Sequence, residues 1–460
     1  MAIDPSQVKH SDMSTGDETG RVFYWNDGIY RAINKSKSAE VKQLFDSGLM
    51  AELVAEKIFP ETKITEHVLG DYAMVLSHQK IKSVTYPFEW SFEMMKAAAL
   101  TILRVNEVAM KYGYQTKDCH SFNVLFDGTH PYYIDLGSFV KVEPGMNHLI
   151  WYREFLTQYA FMFYIAGTNE YHWVRQLSAA DQLITFESFF LYKYRWLRSL
   201  SPKNVKRIVK LWMLFNLGDL ITDDQIRKKR FGGMIAGLRK LLPSQNKSIA
   251  DLRAEVQKAK KMSYLTMWGE YQSNFEESNP RFNRLIEIIK SYNVKTVFEV
   301  AGNQGFFANM MLTKGGVEHM YCSDYDENAV DEMFLRYPDR KDISPVLMNF
   351  LFQSQTSFTL PAPARFKSDL VVALAVVHHI VLTQAQSLDF VLTTLLKYTN
   401  RYILVEFMPM GLWDSVTDTA PAFPDWYNVD WFRTHFQKYF KVLHEETVAK
   451  NRIAFFGEIL

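Results

Sequence analysis

Residues 296–308, TVFEVAGNQGFFA, constrain the fold of this chain more than any other stretch. A short run of β-branched and aromatic residues leads into Gly302 and Gly305, and an apolar segment of helical character follows. Glycines at a strand-to-helix turn let the backbone approach a ligand without interference from Cβ, and the N-terminus of the next helix favours an anionic group. About 20 residues on, YCSDYDEN supplies Asp324, where a dinucleotide-type fold keeps a carboxylate for ribose hydroxyls. The later strand DLVVALAVVHHI continues the rhythm of an open α/β sheet.

The chain has 460 residues, enough for two or three domains that each bury a core. Its 52 basic and 51 acidic residues leave a net charge of +1, so no global field draws it to nucleic acid or to an anionic membrane. Basic residues do cluster between Lys203 and Lys240, but Trp, Met and Leu interleave them, as on a helical surface. Cys119 and Cys322 stand far apart, which points away from a disulfide framework or a zinc site. The start, MAIDPSQVKHSDMSTGDETG, lacks a basic-then-apolar signal, and no run approaches the ~20 apolar residues that span a bilayer. A cytoplasmic protein without a transmembrane segment is therefore expected, with no nucleic-acid partner.

Four regions are expected. Residues 1–20 read as a disordered tail. Residues 21–242 begin with a hairpin, GRVFYW and GIYRAIN around Asn26-Asp27-Gly28, and end in an aromatic-rich helical stretch. Between these lie a helical run from Ser38 to Phe59, two strands around Gly70-Asp71, a helix from Ser91 to Tyr112, and a strand pair turning at Asp127-Gly128. Residues 243–279 read as a linker and connecting helix. From Pro280 to the end a βαβα alternation argues for a parallel sheet with helices on both faces, closed by the pair FKVLHEE and RIAFFGEIL.

The glycine turn, the spaced acid and the later strand resemble a class I S-adenosylmethionine (SAM)-dependent methyltransferase. The resemblance implies that Glu299 to Gly305, through Ala301, Gly302 and Asn303, wraps the methionine end of SAM. It implies that Asp324 takes the ribose hydroxyls and Tyr325 flanks the adenine, and it puts Asn349 and Phe350 where an Asp often reads the adenine amine. Ala301 and Asn303 depart from the E-x-G-x-G-x-G pattern at its first two glycine positions. His378 and His379 follow a strand where ligands bind in open α/β sheets, so either could be the general base. The alternative is that one orients backbone and the other only lines the pocket. Glu406, ending the next strand, is a second base or an acceptor for a substrate hydroxyl.

The amino-terminal half holds another signature, KDCHSFNVLFDGTHPYYIDLGSF. Asp118 and Asn123 match the spacing D-x-x-x-x-N of a kinase catalytic loop, and Asp135-Leu136-Gly137 stands where D-F-G would be. In a protein-kinase-like α+β domain these residues would orient a hydroxyl and hold Mg²⁺, the metal falling to Asn123 and Asp135, with ATP as nucleotide. Glu52 would sit on the helix of the amino-terminal lobe. The lysine expected on the third strand falls at Arg31, and no glycine-rich loop precedes it.

Together the halves resemble a bacterial two-domain methyltransferase group of surface-polysaccharide or nodulation-type glycan loci. The matching features are YPFEWS, the DCHSFN–IDLGSF block, TMWGEY, the glycine turn and the HH strand. The expectation is thus a Rossmann-like class I methyltransferase domain behind a kinase-like domain and a helical connector. It would O-methylate a sugar, glycan or similar polar metabolite, with the kinase-like half in an accessory role. A bifunctional kinase-methyltransferase and a non-catalytic SAM-binding scaffold are the alternatives.

Overall fold

The computed structural model describes residues 1–143, 150–179, 184–193 and 247–460, apart from positions 265, 267, 270, 271, 273, 274, 277, 357, 358, 415 and 416, together with positions 205, 206 and 209. The break expected at Ser201-Pro202, most of the basic stretch Lys203–Lys240 and Tyr271 of TMWGEY lie outside the described residues. Two compact units emerge, and neither is contiguous. The first comprises residues 1–101, 122–137 and 263–460, and the second residues 102–121 and 138–262. The 21–242 block therefore contributes to both units.

Two larger sheets dominate the first unit, beside two-stranded pairings such as that of Val124–Asp127 with His130–Tyr133. Strands β1 (Lys9–His10), β2 (Gly20–Trp25), β3 (Gly28–Ile33), β4 (Thr62–Ile64) and β5 (Met74–His78) form an antiparallel sheet in the order β1-β2-β3-β5-β4. Asn26 and Asp27, at φ 44° and 60°, supply the two left-handed residues of the tight turn between β2 and β3. Helices α1 (Ser38–Asp46) and α2 (Leu49–Ala55) lie between β3 and β4 in sequence. They were expected as one helix, but Gly48 at φ 90° ends the first and starts the second. The stretch expected as a disordered tail is also ordered. Ile3 is buried with Phe23, Trp25 and Val75, and Ala2–Ile3 pairs with Val68–Leu69. A few apolar residues, Ile3 and Val8, provide burial that its polar composition concealed.

Seven strands build the second sheet: β6 (Thr296–Val300), β7 (His319–Asp324), β8 (Ile343–Leu347), β9 (Ser368–Ala373), β10 (Thr399–Phe407), β11 (Phe440–Ala449) and β12 (Arg452–Ile459). Their order is β8-β7-β6-β9-β10-β12-β11, with the first five parallel and the last two antiparallel. This is an open, Rossmann-like α/β sheet. Strand β8 runs from Ile343 to Leu347 and ends short of Asn349. Alternate residues of β6 feed different cores: Val297 joins the cluster around Phe307 and Met311, and Phe298 joins that around Phe366 and Tyr398. The strand order reverses beside β6, where open sheets leave a crevice at the carboxyl ends.

In the second unit, Tyr114–Thr116 pairs antiparallel with Phe139–Lys141. Helical segments follow at Tyr152–Phe155 and Phe161–Ala166, joined by a π-helical turn over Leu156–Ala160. Further helices run over His172–Ala179, Phe186–Lys193 and Ile249–Lys258, the last capped by Ser248 with Asp251. Among the described residues no helix is long and apolar enough to cross a membrane.

Candidate active site

The glycine turn leaves β6 and enters helix α3 (Phe306–Lys314). Ala301, Asn303 and Gly305 have φ of 53°, 54° and 72°, so all three glycine-type positions keep the left-handed backbone although only one is glycine. Gly302 between them meets a different demand. A Cβ there would lie 2.3 Å from Cys322 Sγ and 2.9 Å from Glu299 Cδ. Its N–H donates to the Ser323 carbonyl oxygen at 3.0 Å, clamping the turn onto β7.

Asp324 ends β7 directly beside that turn. Its carboxylate accepts the Asn303 N–H at 2.8 Å and the Asp326 N–H at 2.8 Å. Burial pushes its pKa up to about 6 against these donors. Glu299 is buried as well, and burial pushes its carboxyl up to about 8, with Cys322 Sγ 3.6 Å away. Asp326 caps helix α4 (Glu327–Arg336) through the Asn328 N–H. Tyr325, which follows Asp324, is 65% exposed. Asn349 differs from its expectation. Its Oδ1 accepts the Leu351 and Phe352 N–H groups at 3.0 and 3.4 Å, so the oxygen meant for an adenine amine already closes a turn. Phe350 packs inside the core with Val346 and Phe366.

His378 and His379 lie on helix α5 (Val377–Leu382), which follows β9 after Ala375 at φ 52°. Their rings are 4.0 Å apart between centroids. His378 is buried, its Nδ1 has no partner among the described residues, and burial with the nearby His379 and Arg452 lowers its pKa to about 3. Burial lowers His379 too. Both are therefore neutral imidazoles at physiological pH, able to accept a proton or a hydrogen bond.

Glu406 departs from its expected role. Arg281 holds it through Nε at 2.6 Å and Nη2 at 2.8 Å, and Arg452 Nη1 adds a bond at 3.0 Å. A fully buried carboxylate bound on both oxygens by two guanidinium groups is a structural ion cluster rather than a free base.

Sequence reasoning also missed a strap that Tyr264, Trp268, Gly269 and Gln272 lay against the turn. Asn303 Nδ2 donates to the Trp268 carbonyl oxygen at 2.6 Å, and Gln304 Nε2 to that of Gly269 at 2.7 Å. The Phe306 N–H donates to Gln272 Oε1 at 3.1 Å, and Asn328 Nδ2 to the Tyr264 carbonyl oxygen at 3.1 Å. The Trp268 ring meets His379 edge-on, with centroids 4.9 Å apart. TMWGEY was the available signal, but it was assigned to a linker.

The kinase-type residues divide between the units. Arg31 on β3 is buried and donates from Nη2 to Asp17 at 2.9 Å, while its Nε and Nη1 have no partner. Glu52 lies half-buried on α2. Asp135 Oδ1 accepts the Gly137 N–H at 3.0 Å, and the Asn123 carbonyl oxygen accepts the Ile134 N–H at 2.9 Å. Asp118 belongs to the second unit, where it accepts the His120 N–H at 2.7 Å. Glu154 neighbours it there, taking the Cys119 N–H at 2.6 Å, and burial pushes its pKa up to about 7 with Asp118 adding to the shift.

No family model matches the chain. It is 24% identical over 428 residues to nodulation protein NoeA of Rhizobium meliloti strain 1021, covering 85% of this chain and 83% of that one. Among solved structures, the N-methyltransferase NodS of Bradyrhizobium japonicum WM9 with S-adenosyl-L-homocysteine is 13% identical, at a TM-score of 0.30, over 42% of this chain and 96% of that one. Magnesium protoporphyrin IX methyltransferase of Synechocystis PCC 6803 with SAM is 12% identical, at a TM-score of 0.30, over 43% and 86%.

Proposed function

We propose that the chain is a SAM-dependent methyltransferase acting on oxygen of a sugar, glycan or similar polar acceptor. The observation that carries this reading is the Asp324 carboxylate, fixed by two backbone N–H groups at the carboxyl end of β7 beside three left-handed turn residues. Those residues fit the cofactor: Asp324 suits the ribose hydroxyls, and Glu299 to Gly305 suit its amino-acid end. When bound, SAM supplies an electrophilic methyl group on sulfonium. The chain's part is to hold the acceptor in line and to take its proton, for which His378 and His379 are the candidates, His378 being a weak base because burial holds it near 3. A relative named as a nodulation protein is in keeping with the nodulation-type resemblance, from which the glycan-type acceptor is proposed together with a cytoplasmic location.

The antiparallel sheet β1-β2-β3-β5-β4, with α1 and α2 following β3, favours a kinase-like reading of the amino-terminal half. Arg31 engages Asp17 of the same chain rather than presenting a free cation, which supports an accessory role over phosphoryl transfer. Incubating the full chain with methyl-labelled SAM and fractionated cell extract tests the first reading. Label in a small polar product is expected, and none in any fraction favours a SAM-binding scaffold. ATP turnover that is lost in Asp135→Ala would instead establish the bifunctional enzyme, with Mg²⁺ at Asn123 and Asp135.

A further inference from the structure

Asn303 stands at a glycine-type position and keeps glycine's backbone at φ 54°. Holding a residue with a Cβ in that region costs conformational energy, which its side chain can offset. Half of that side chain is accounted for. Nδ2 donates to the Trp268 carbonyl oxygen at 2.6 Å, and because a carbonyl only accepts, the orientation of the amide follows. Oδ1 is the other half: it is buried, in a residue only 5% exposed, and no donor among the described residues reaches it. A buried acceptor without a donor is unfavourable until a donor arrives.

Asn303 touches both sides of the crevice. On one side lies Asp324, which accepts the Asn303 N–H and whose carboxylate favours a cationic donor over an anionic one. On the other side is the strap, whose Trp268 ring lies against His379, itself tilted against the His378 ring. We propose that Asn303 couples the two sides. Its Oδ1 accepts a hydrogen bond from the ammonium group at the amino-acid end of a sulfonium cofactor, and its Nδ2 holds Trp268 against His379. Cofactor occupancy thereby sets the wall of the acceptor site. The inference rests on the cofactor reading proposed above and adds to it a residue that links the cofactor to the acceptor.

Fluorine NMR of the full chain labelled with 5-fluorotryptophan tests this, the Trp268 resonance being the one lost in Trp268→Phe. The probes are S-adenosylhomocysteine and 5′-methylthioadenosine, which shares the nucleoside thioether but lacks the amino-acid group. S-Adenosylhomocysteine is expected to shift the Trp268 resonance, and 5′-methylthioadenosine to leave it in place. Asn303→Gly tolerates the backbone conformation, so it should fold. It should move the unliganded Trp268 resonance toward that of an exposed tryptophan and weaken S-adenosylhomocysteine binding about tenfold, with 5′-methylthioadenosine unaffected. Asn303→Asp keeps an acceptor but loses the donor, so it should release Trp268 while retaining S-adenosylhomocysteine affinity. An unmoved Trp268 resonance in Asn303→Gly, or equal weakening of both ligands, overturns the proposal. If the unsubstituted chain binds neither ligand, the cofactor reading fails, while the Trp268 resonance in Asn303→Gly still judges the strap.

Discussion

Arg365 and Glu89 form a bidentate ion pair, at 2.8 and 2.6 Å, with both side chains only 3% exposed. They lie 276 positions apart, and the pair ties the YPFEWS turn to the short helix Ala362–Arg365 beside β9. Arg365 Nη1 also donates to the Val84 carbonyl oxygen and Nε to that of Leu360, and the guanidinium stacks 4.4 Å from the Tyr86 ring centroid. Glu89 in turn accepts the Tyr86 N–H at 2.9 Å. Residues ahead of the methyltransferase sheet are thus part of its packing. Arg365→Met should destabilise the first unit by about 3–5 kcal/mol, because it leaves a buried carboxylate uncompensated. Urea unfolding measures this, and the double variant with Glu89→Gln should recover part of the loss. A single-variant loss below about 1 kcal/mol would mark the pair as a surface-type contact.

Gly302→Ala places a methyl group against Cys322 Sγ and Glu299, between β6 and β7 where neither strand can retreat. Overpacking of this kind costs about 1–3 kcal/mol. Thermal unfolding should show the loss, and Cys322→Ala in the same chain should relieve it, since the sulfur is the nearer obstacle.

Asp324→Ala removes the proposed ribose contact and frees the Asn303 and Asp326 N–H groups that shape the turn. Loss of two charge-assisted hydrogen bonds to a buried ligand is worth about 3 kcal/mol, over roughly a hundredfold in affinity. Calorimetry with SAM reads it directly. Unchanged affinity would remove Asp324 from the site.

Whichever of His378 and His379 takes the acceptor proton, its alanine variant should lose ~10²–10⁴-fold in turnover with SAM affinity nearly intact. The two single variants separate the residues. In either case burial lowers the working imidazole, so activity should fall on acidification only below the ordinary histidine range, near 3 if His378 is the base. Full turnover in both single variants would place the base elsewhere, and Glu406, tied to Arg281 and Arg452, is not its replacement.

Glu299 gives stability a definite pH dependence. Its carboxyl titrates near 8 when folded and near 4.5 as a free side chain, so the folded state holds more protons between those values. Stability therefore falls as pH rises from about 4.5 to 8, by at most ~1.4 kcal/mol per pH unit from this group. Glu299→Gln should flatten that slope in denaturant titrations at pH 5, 6, 7 and 8. An unaltered slope would place the ionisation outside the window.

Local chemistry made much of this chain legible from its residues. The hairpin at Asn26-Asp27-Gly28 follows from residues that tolerate positive φ, and β6 was read at its observed limits because a β-branched run stops at the glycine turn. The closing hairpin was legible for the same reason, since two strand-forming runs flank a short turn. Asp324 fell beside the turn because strand and helix lengths in a βαβ unit fix that spacing. Other features depend on partners that are remote in the chain. Glu406 reads as a free acid until Arg281, 125 residues away, and Arg452, 46 away, close on it. Asn349 reads as an adenine acceptor until its own turn takes the oxygen. The polar start reads as disordered until Ile3 meets Phe23, and TMWGEY reads as a linker until Asn303 and Gln304 bind its carbonyl groups. Propensity and periodicity act over a turn or a strand, so they determined the elements. Which buried polar atoms are satisfied, and by whom, is decided only when the elements pack.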